Sequence, residues 1–291
     1  FALCLPREEF DEKRVADSIK ELQREFSGNS FHLHTYMGVY EIRDRDEAVS
    51  IMVDKANIAA DTIKNNYDCC VAYYDEHLLE ISIEQRRLLG EFEPALQNDE
   101  FVMYLQPQVK RDGAAKGAEA LVRWVHPSRG ILTPYAFIDI LENAGLIYKL
   151  DLYIWEKAAQ KLAEWKEKGY GSYHISVNIS TKDFYIIDIY ETFTGLINKY
   201  GIAASNLHLE ITETTLMTDF EKNMNIIHKL QDVGFRVEID DFGSGYSSLN
   251  MLKDISADVL KIDMGFLRKS ENEVKGQDIL AVSYTHLRAH E

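Results

Sequence analysis

An α/β architecture is predicted for this chain, with a smaller α+β region first and an incomplete (β/α) barrel after it. Three observations carry the prediction. From about residue 100 onward, short apolar runs alternate with segments of helical period, the pattern of strand–helix units around a parallel sheet. No Gly-rich dinucleotide fingerprint follows any strand, which favours a barrel over an open doubly wound sheet. Six strands are legible in this region, and six cannot close an eight-stranded barrel.

Residues 1–80 read as strand, helix, strand, helix, strand. FALCL is a short apolar strand at the very start, as though the chain begins inside a domain. The first helix carries Phe10, Ala16, Ile19, Leu22 and Phe26. FHLHTYMGVYEI is the second strand. DEAVSIMVDKANIAADTIKNN follows as a helix, with Val49, Met52, Val53, Ala56 and Ala60 at helical spacing. CCVAYY is the third strand, and residues 77–97 form a long charged helix suited to lead into the next domain.

The barrel strands are FVMYLQPQV, GAEALVRW, YHISVNIS, NLHLEITE, FRVEIDDF and DVLKIDM, with strand and helix in strict alternation. Thr133-Pro134 marks an N-cap with proline at the first helical position, and Gly145 ends that helix. Residues 150–168 place Leu152, Trp155, Ala159, Leu162 and Trp165 on one side, before Gly169. Thr218-Asp219-Phe220-Glu221 reads as a capping box opening a helix with Met224, Ile227 and Leu230 inward, closed by Gly234.

Composition narrows the function. Of 291 residues, 46% are hydrophobic and 27% charged, a globular balance with ample core. No apolar run approaches the length of a membrane span, and no signal peptide opens the chain. The three cysteines, Cys4, Cys69 and Cys70, form no disulfide framework and suit a reducing cytoplasm. Nine histidines show no paired zinc-ligand spacing. With 48 acidic against 32 basic residues, binding to DNA or RNA through phosphate neutralisation is disfavoured. A small anionic substrate remains open if metal ions invert the local charge.

In a barrel, reactive residues belong at the C-terminal ends of strands. Those ends here carry Glu119 and Arg123, Asn178, Glu210 with Glu213 just beyond, Asp240 and Asp241, and Lys261 with Asp263. The adjacent Asp240 and Asp241 need an explanation. Two carboxylates ~4 Å apart repel by roughly 1 kcal/mol in water and about 4 kcal/mol near a protein surface. Solvated turn chemistry is one explanation and a divalent cation is the other. An all-oxygen set of carboxylates and an asparagine suits Mg²⁺ or Mn²⁺ rather than zinc. Two such ions roughly 3.5–4 Å apart are a known device for splitting phosphodiesters. Arg123 is placed to pair with a phosphate oxygen, against the alternative of a surface ion pair.

Seven blocks stand in order: Tyr104-Leu105-Gln106-Pro107, Glu119-Ala120-Leu121 followed by Arg123-Trp124, His126-Pro127, Asn178-Ile179-Ser180, Glu210-Ile211-Thr212-Glu213, Asp240-Asp241-Phe242-Gly243 and Lys261-Ile262-Asp263. Their order and spacing resemble the EAL-domain phosphodiesterases, which fold as TIM-like barrels and hydrolyse cyclic di-GMP to linear pGpG. The resemblance covers about residues 90–280. It implies two Mg²⁺ or Mn²⁺ ions held by Glu119, Asn178, Glu210, Asp240 and Asp241, with Asp263 a further ligand candidate. It also implies substrate contacts from Gln106 and Arg123, a contact from Lys261 to the hydrolytic water, and a loop-stabilising role for Glu213. A homodimer through the EAL domain and a sensor region upstream of Phe1 are compatible with it.

Residues 1–76 resemble the back half of a GGDEF (diguanylate cyclase) domain, with the glycines and acidic residues of its signature absent. Residues 77–98 then act as a connector helix, and 99–281 as the EAL domain. Residues 282–291, YTHLRAHE with the two residues before it, resemble nothing in the family. The expectation is a truncated reading frame that lacks the last two strand–helix units and aggregates through open sheet edges. Two rivals stand beside the phosphodiesterase. One is a catalytically silent EAL domain that senses cyclic di-GMP. The other is an enolase-type carboxylate–metal barrel with Lys261 as base.

Overall fold

The computed structural model describes residues 1–26, 35–64, 69–109, 113–242 and 257–262. The chain divides into two compact units, Phe1–Glu91 and Phe92–Glu291.

In the first unit, α1 (Glu12–Phe26) precedes β1 (Met37–Val39), α2 (Val49–Asp61) and β2 (Val71–Tyr73). The two strands pair in parallel, Gly38 opposite Ala72, so the chain must cross over between them, and α2 makes that crossover. A Cβ on Gly38 would lie 1.8 Å from the Ala56 carbonyl oxygen and 2.6 Å from the Ala60 nitrogen. Glycine is therefore what lets the helix backbone lie against the strand. The expected first strand, FALCL, is absent. Phe1–Pro6 carries no ladder, and Phe1, Leu3 and Leu5 are exposed. A strand exists only where its N–H and C=O groups find partners, and among the described residues this segment pairs with none.

α3 (Glu76–Gln97) contains the boundary between the units. The second unit continues with β3 (Phe101–Val109), β4 (Ala115–His126) and β5 (Gly130–Leu132), then α4 (Ile138–Asn143) and α5 (Ile147–Glu167). Next come β6 (His174–Ile179), α6 (Asp183–Ile186), α7 (Ile189–Tyr200) and β7 (Leu207–Thr212). α8 (Glu213–Thr218), α9 (Phe220–Val233), β8 (Arg236–Phe242) and β9 (Val259–Ile262) complete it. The sheet order is β3-β4-β6-β7-β8-β9, with β5 on β4. From β4 onward the neighbours along this path are parallel, which confirms the α/β sheet, with helices in the crossovers between β4 and β8. All six expected barrel strands are present.

Strict alternation fails at two places, the β3–β4 and β4–β5 pairs. β3 and β4 are antiparallel, Gln106 opposite Glu119, with no helix between them. The connection of residues 110–114 is too short for a crossover, which needs a dozen residues or more. The capping box also differs. Thr218 ends α8 and its hydroxyl donates to the Thr214 carbonyl, while Asp219 takes the N-cap position of α9. Thr133 makes no side-chain cap, and Pro134 opens a 3₁₀ turn rather than the helix itself.

Outward-pointing strand residues form the core with the helices. Ile175, Val177, Ile179, Leu207, Leu209, Ile211, Val237 and Ile239 are buried, as are Met224, Ile227 and Leu230 of α9. Gly234 closes α9 in the left-handed region at φ 104°. Trp155 of α5 packs on Phe193 of α7 at 4.5 Å and donates its indole N–H to the Asn178 carbonyl at 2.9 Å. That bond ties the helical layer to the C-terminal end of β6.

Replacing Gly38 by alanine forces strand and helix apart. It is expected to destabilise the first unit by about 1–3 kcal/mol, the range for overpacking, measured by urea unfolding of the variant against the parent.

Candidate active site

Side chains alternate between the two faces of a strand. Along β6, β7 and β8 the apolar set faces the helices, and the other parity carries His174, Ser176 and Asn178, His208 and Glu210, and Glu238 and Asp240. Parallel pairing then sets the neighbours. Asn178 is opposite Glu210, Thr212 opposite Asp240, and Glu119 opposite Ser176.

The centre of this face is Lys261 on β9. Its ammonium forms ion pairs with Glu210, with Glu119 at 3.3 Å and with Glu238 at 3.4 Å. Glu210 is only 1% exposed, and its Oε1 has no hydrogen-bond partner. Burial pushes its carboxyl up to about 8; Lys261 opposes the shift, and Glu119 and Asp240 add to it. Burial alone would lower the Lys261 ammonium, but Glu210, Glu119 and Glu238 together hold it above its ordinary range. A buried carboxylate with an open oxygen, beside further carboxylates, fits a divalent cation.

Asp240 is half-buried and Asp241 exposed. Asp241 takes φ 54°, and the β8–β9 register shifts between Ile239 and Phe242. A bulge of this kind re-aims consecutive side chains that a regular strand would point apart. Aspartate tolerates the left-handed region better than most residues.

Other expected residues sit nearby without joining the cluster. Gln106 is exposed on β3, in register with Glu119. Arg123 donates to the Val122 carbonyl at 2.8 Å and lies over the Tyr104 ring at 5.7 Å. Asn178 is exposed at the end of β6. Glu213 is buried at the start of α8. That short helix is held by Thr212, whose hydroxyl accepts from the Thr215 N–H, by the Thr181–Thr215 hydroxyl contact at 2.7 Å, and by Asn223, which donates to the Thr215 carbonyl. Asp263, the Gly243-Ser244-Gly245 loop and residues 282–291 lie outside the described residues.

A second polar layer lies beneath, toward the N-terminal ends of the strands. The rings of His174 and His208 stack at 3.8 Å, 3° from parallel. His174 Nε2 meets Gln108 Oε1 at 2.7 Å, and His208 Nδ1 meets Glu238 Oε1 at 2.6 Å. Gly117 makes room for this layer, since a Cβ there would meet the His174 ring at 2.6 Å. Among the described residues, His174, His208 and Glu238 bring ligand-type atoms within 4.8 Å of one another, with the two imidazole rings stacked rather than aimed at a common point. Sequence reasoning passed over all three. The signal was present in the period-two parity that put Glu210 and Asp240 on the same face.

His174 supplies a test. Burial, with the His208, Lys116 and Arg236 charges, lowers its pKa to about 4, against 6.5 when exposed. Between those values the unfolded chain binds a proton that the folded one refuses, so stability falls as pH drops from about 6.5 to 4. The loss attributable to this residue is on the order of 3 kcal/mol. His174→Gln is expected to flatten that part of the pH–stability curve, measured by urea unfolding at stepped pH.

Comparison with known proteins places this geometry. Residues 90–288 match the EAL domain family model. The bifunctional diguanylate cyclase/cyclic di-GMP phosphodiesterase MucR of Pseudomonas aeruginosa is 33% identical over 212 residues, 72% of this chain and 30% of that protein. The solved structure of the PaMucR phosphodiesterase in complex with c-di-GMP is similar with a TM-score of 0.64 at 32% identity, covering 69% of this chain and 83% of that one. A Vibrio cholerae LapD structure, S helix–GGDEF–EAL bound to c-di-GMP, shares the fold over 96% of this chain and 67% of its own, with a TM-score of 0.62 at 16% identity. The chain spans about a third of the length of the curated relatives it matches. The family match covers more than half of the sequence, and its strands carry the buried acidic cluster; the chain belongs to the EAL domain family.

Proposed function

We propose that the protein is a metal-dependent phosphodiesterase that hydrolyses cyclic di-GMP to linear pGpG. The carrying observation is the buried Glu210 with its open oxygen, set beside Glu119, Asp240 and Lys261 on the face of an EAL-family sheet. The likeness to MucR, whose solved phosphodiesterase holds c-di-GMP, supports the substrate.

In this reading, Glu119, Asn178, Glu210, Asp240 and Asp241 would hold two Mg²⁺ or Mn²⁺ ions, with Asp263 a further ligand. Such ions, when bound, polarise a phosphoryl oxygen and lower the pKa of a bound water. The chain's own residues do the rest. The Lys261 ammonium donates to the attacking water and orients it. Arg123 turns from Tyr104 toward a non-bridging phosphate oxygen, and Gln106 holds the substrate at the rim. Glu213 fixes the turn after β7. The water oxygen bonds to phosphorus as one P–O ester bond breaks; one of the water's protons passes to the leaving ribose oxygen and the other to solvent.

The same reading assigns residues 1–76 to a GGDEF-like region, 77–98 to a connector and 99–281 to the EAL domain. The parallel β1–α2–β2 unit and the LapD fold support the first assignment. A cytoplasmic site of action is supported by three free cysteines. No helix among the described residues is long and apolar enough to cross a membrane. A homodimer through the EAL domain completes the proposal.

Turnover of cyclic di-GMP to pGpG, assayed with Mg²⁺ or Mn²⁺ and with chelator, is the direct test. Asp240→Asn is expected to reduce turnover by at least about 10²-fold while the urea midpoint stays near the parent's. Full activity at saturating Mg²⁺ would remove Asp240 from the site. Mg²⁺ is expected to raise the melting temperature by mass action, and Glu210→Gln to abolish that rise. Tight binding of cyclic di-GMP without pGpG would instead support the sensor reading.

A further inference from the structure

We infer that Glu238 is a positioning residue that anchors Lys261 when the other two carboxylates around it turn to metal. The inference rests on the phosphodiesterase reading. Lys261 faces three carboxylates, and two of them, Glu119 and Glu210, belong to the proposed ligand set. Cations bound there would engage those two and repel the ammonium. The third, Glu238, lies in the layer below, where its Oε2 faces Lys261 at 3.4 Å. It therefore stays available as the ammonium's counter-charge in both states.

Glu238 is built to keep that charge and that place. It is buried, so an unpaired carboxylate there would be costly. His208 Nδ1 meets its Oε1 at 2.6 Å, and the Lys261 ammonium faces its other oxygen. His208 is fixed in turn by stacking on His174, and His174 by Gln108. Each link holds the orientation of the next, as outer-shell partners orient a ligand. The two imidazole planes run parallel and His208 Nδ1 is engaged with Glu238. In-plane lone pairs on parallel rings do not converge on one ion, so in this arrangement the layer is a hydrogen-bonded support.

A double-substitution cycle of Glu238→Gln and Lys261→Met tests it with two readouts. Urea unfolding, in chelator and at saturating Mg²⁺, reports their coupling without any turnover. The Glu238–Lys261 coupling is expected to persist in Mg²⁺, whereas a matched cycle with Glu210→Gln loses its coupling to Lys261 once Mg²⁺ is added. A Glu238–Lys261 coupling that is absent in Mg²⁺, or a Glu210–Lys261 coupling that Mg²⁺ leaves unchanged, overturns the assignment.

In turnover, Glu238→Gln is expected to lower kcat about tenfold with KM within about twofold, and to add no further loss on the Lys261→Met background. The same fractional loss on both backgrounds would mean that Glu238 acts on the fold, and overturns the proposal. His208→Gln leaves the Glu238 carboxylate but removes its hydrogen bond. It should shift kcat in the same direction by a smaller factor, and it carries the test if Glu238→Gln does not fold. A parent without turnover whose coupling persists in Mg²⁺ would sink the hydrolytic reading and leave the Lys261 anchor standing.

Discussion

One half-buried cation organises the second unit. Lys261 is a single ammonium facing Glu119, Glu210 and Glu238, in a place where an uncompensated charge of either sign would be expensive. Three acidic strands converge on it because β4, β7 and β8 precede β9 in one continuous sheet. Among the described residues, this one ammonium faces three carboxylates. Burial, with a smaller addition from Glu119 and Asp240, makes Glu210 hold its proton more tightly than an exposed carboxylate would. A site that strains against its own charge in this way is one that a divalent cation would relax.

The barrel interior is polar in two layers, and their roles differ with depth. The upper layer, at the C-terminal ends of the strands, is acidic and opens toward exposed Asn178 and Asp241. The lower layer, Gln108, His174, His208 and Glu238, is closed and hydrogen-bonded within itself. Hydrogen bonds in such low-dielectric surroundings are strong, and partners lost there are not replaced by water. Gly117 is the steric condition for the lower layer, because a side chain at that position would occupy the space of the His174 ring. The outer wall, from Trp155 to Leu230, keeps water from the back of the strands.

Much of this was legible in residue order. The six barrel strands were found because apolar residues at every second position face helices in all but the hairpin, and the helix ends at Gly145, Gly169 and Gly234 were found because only glycine accepts their φ of 68°, 87° and 104° readily. The antiparallel direction of β3 and β4 is not written in either strand, because each alone has the pattern of a barrel strand. Direction is a property of the connection, here residues 110–114. FALCL has the apolar run of a strand, yet strand formation depends on a partner that local sequence does not name. Thr218 has the spacing of a cap, but whether it caps depends on where α8 stops.

The site divides the same way. Sequence by itself determined which residues are acidic at the strand ends, and therefore the all-oxygen chemistry of Glu119, Asn178, Glu210, Asp240 and Asp241. Only the tertiary structure decided that Lys261 stands among Glu119, Glu210 and Glu238, residues up to 142 positions away along the chain. It alone put His174 against His208 and bent β8 at Asp241. The physical reason is that residue type is written locally, whereas burial and charge pairing come from sheet register, a relation between strands that no single strand contains.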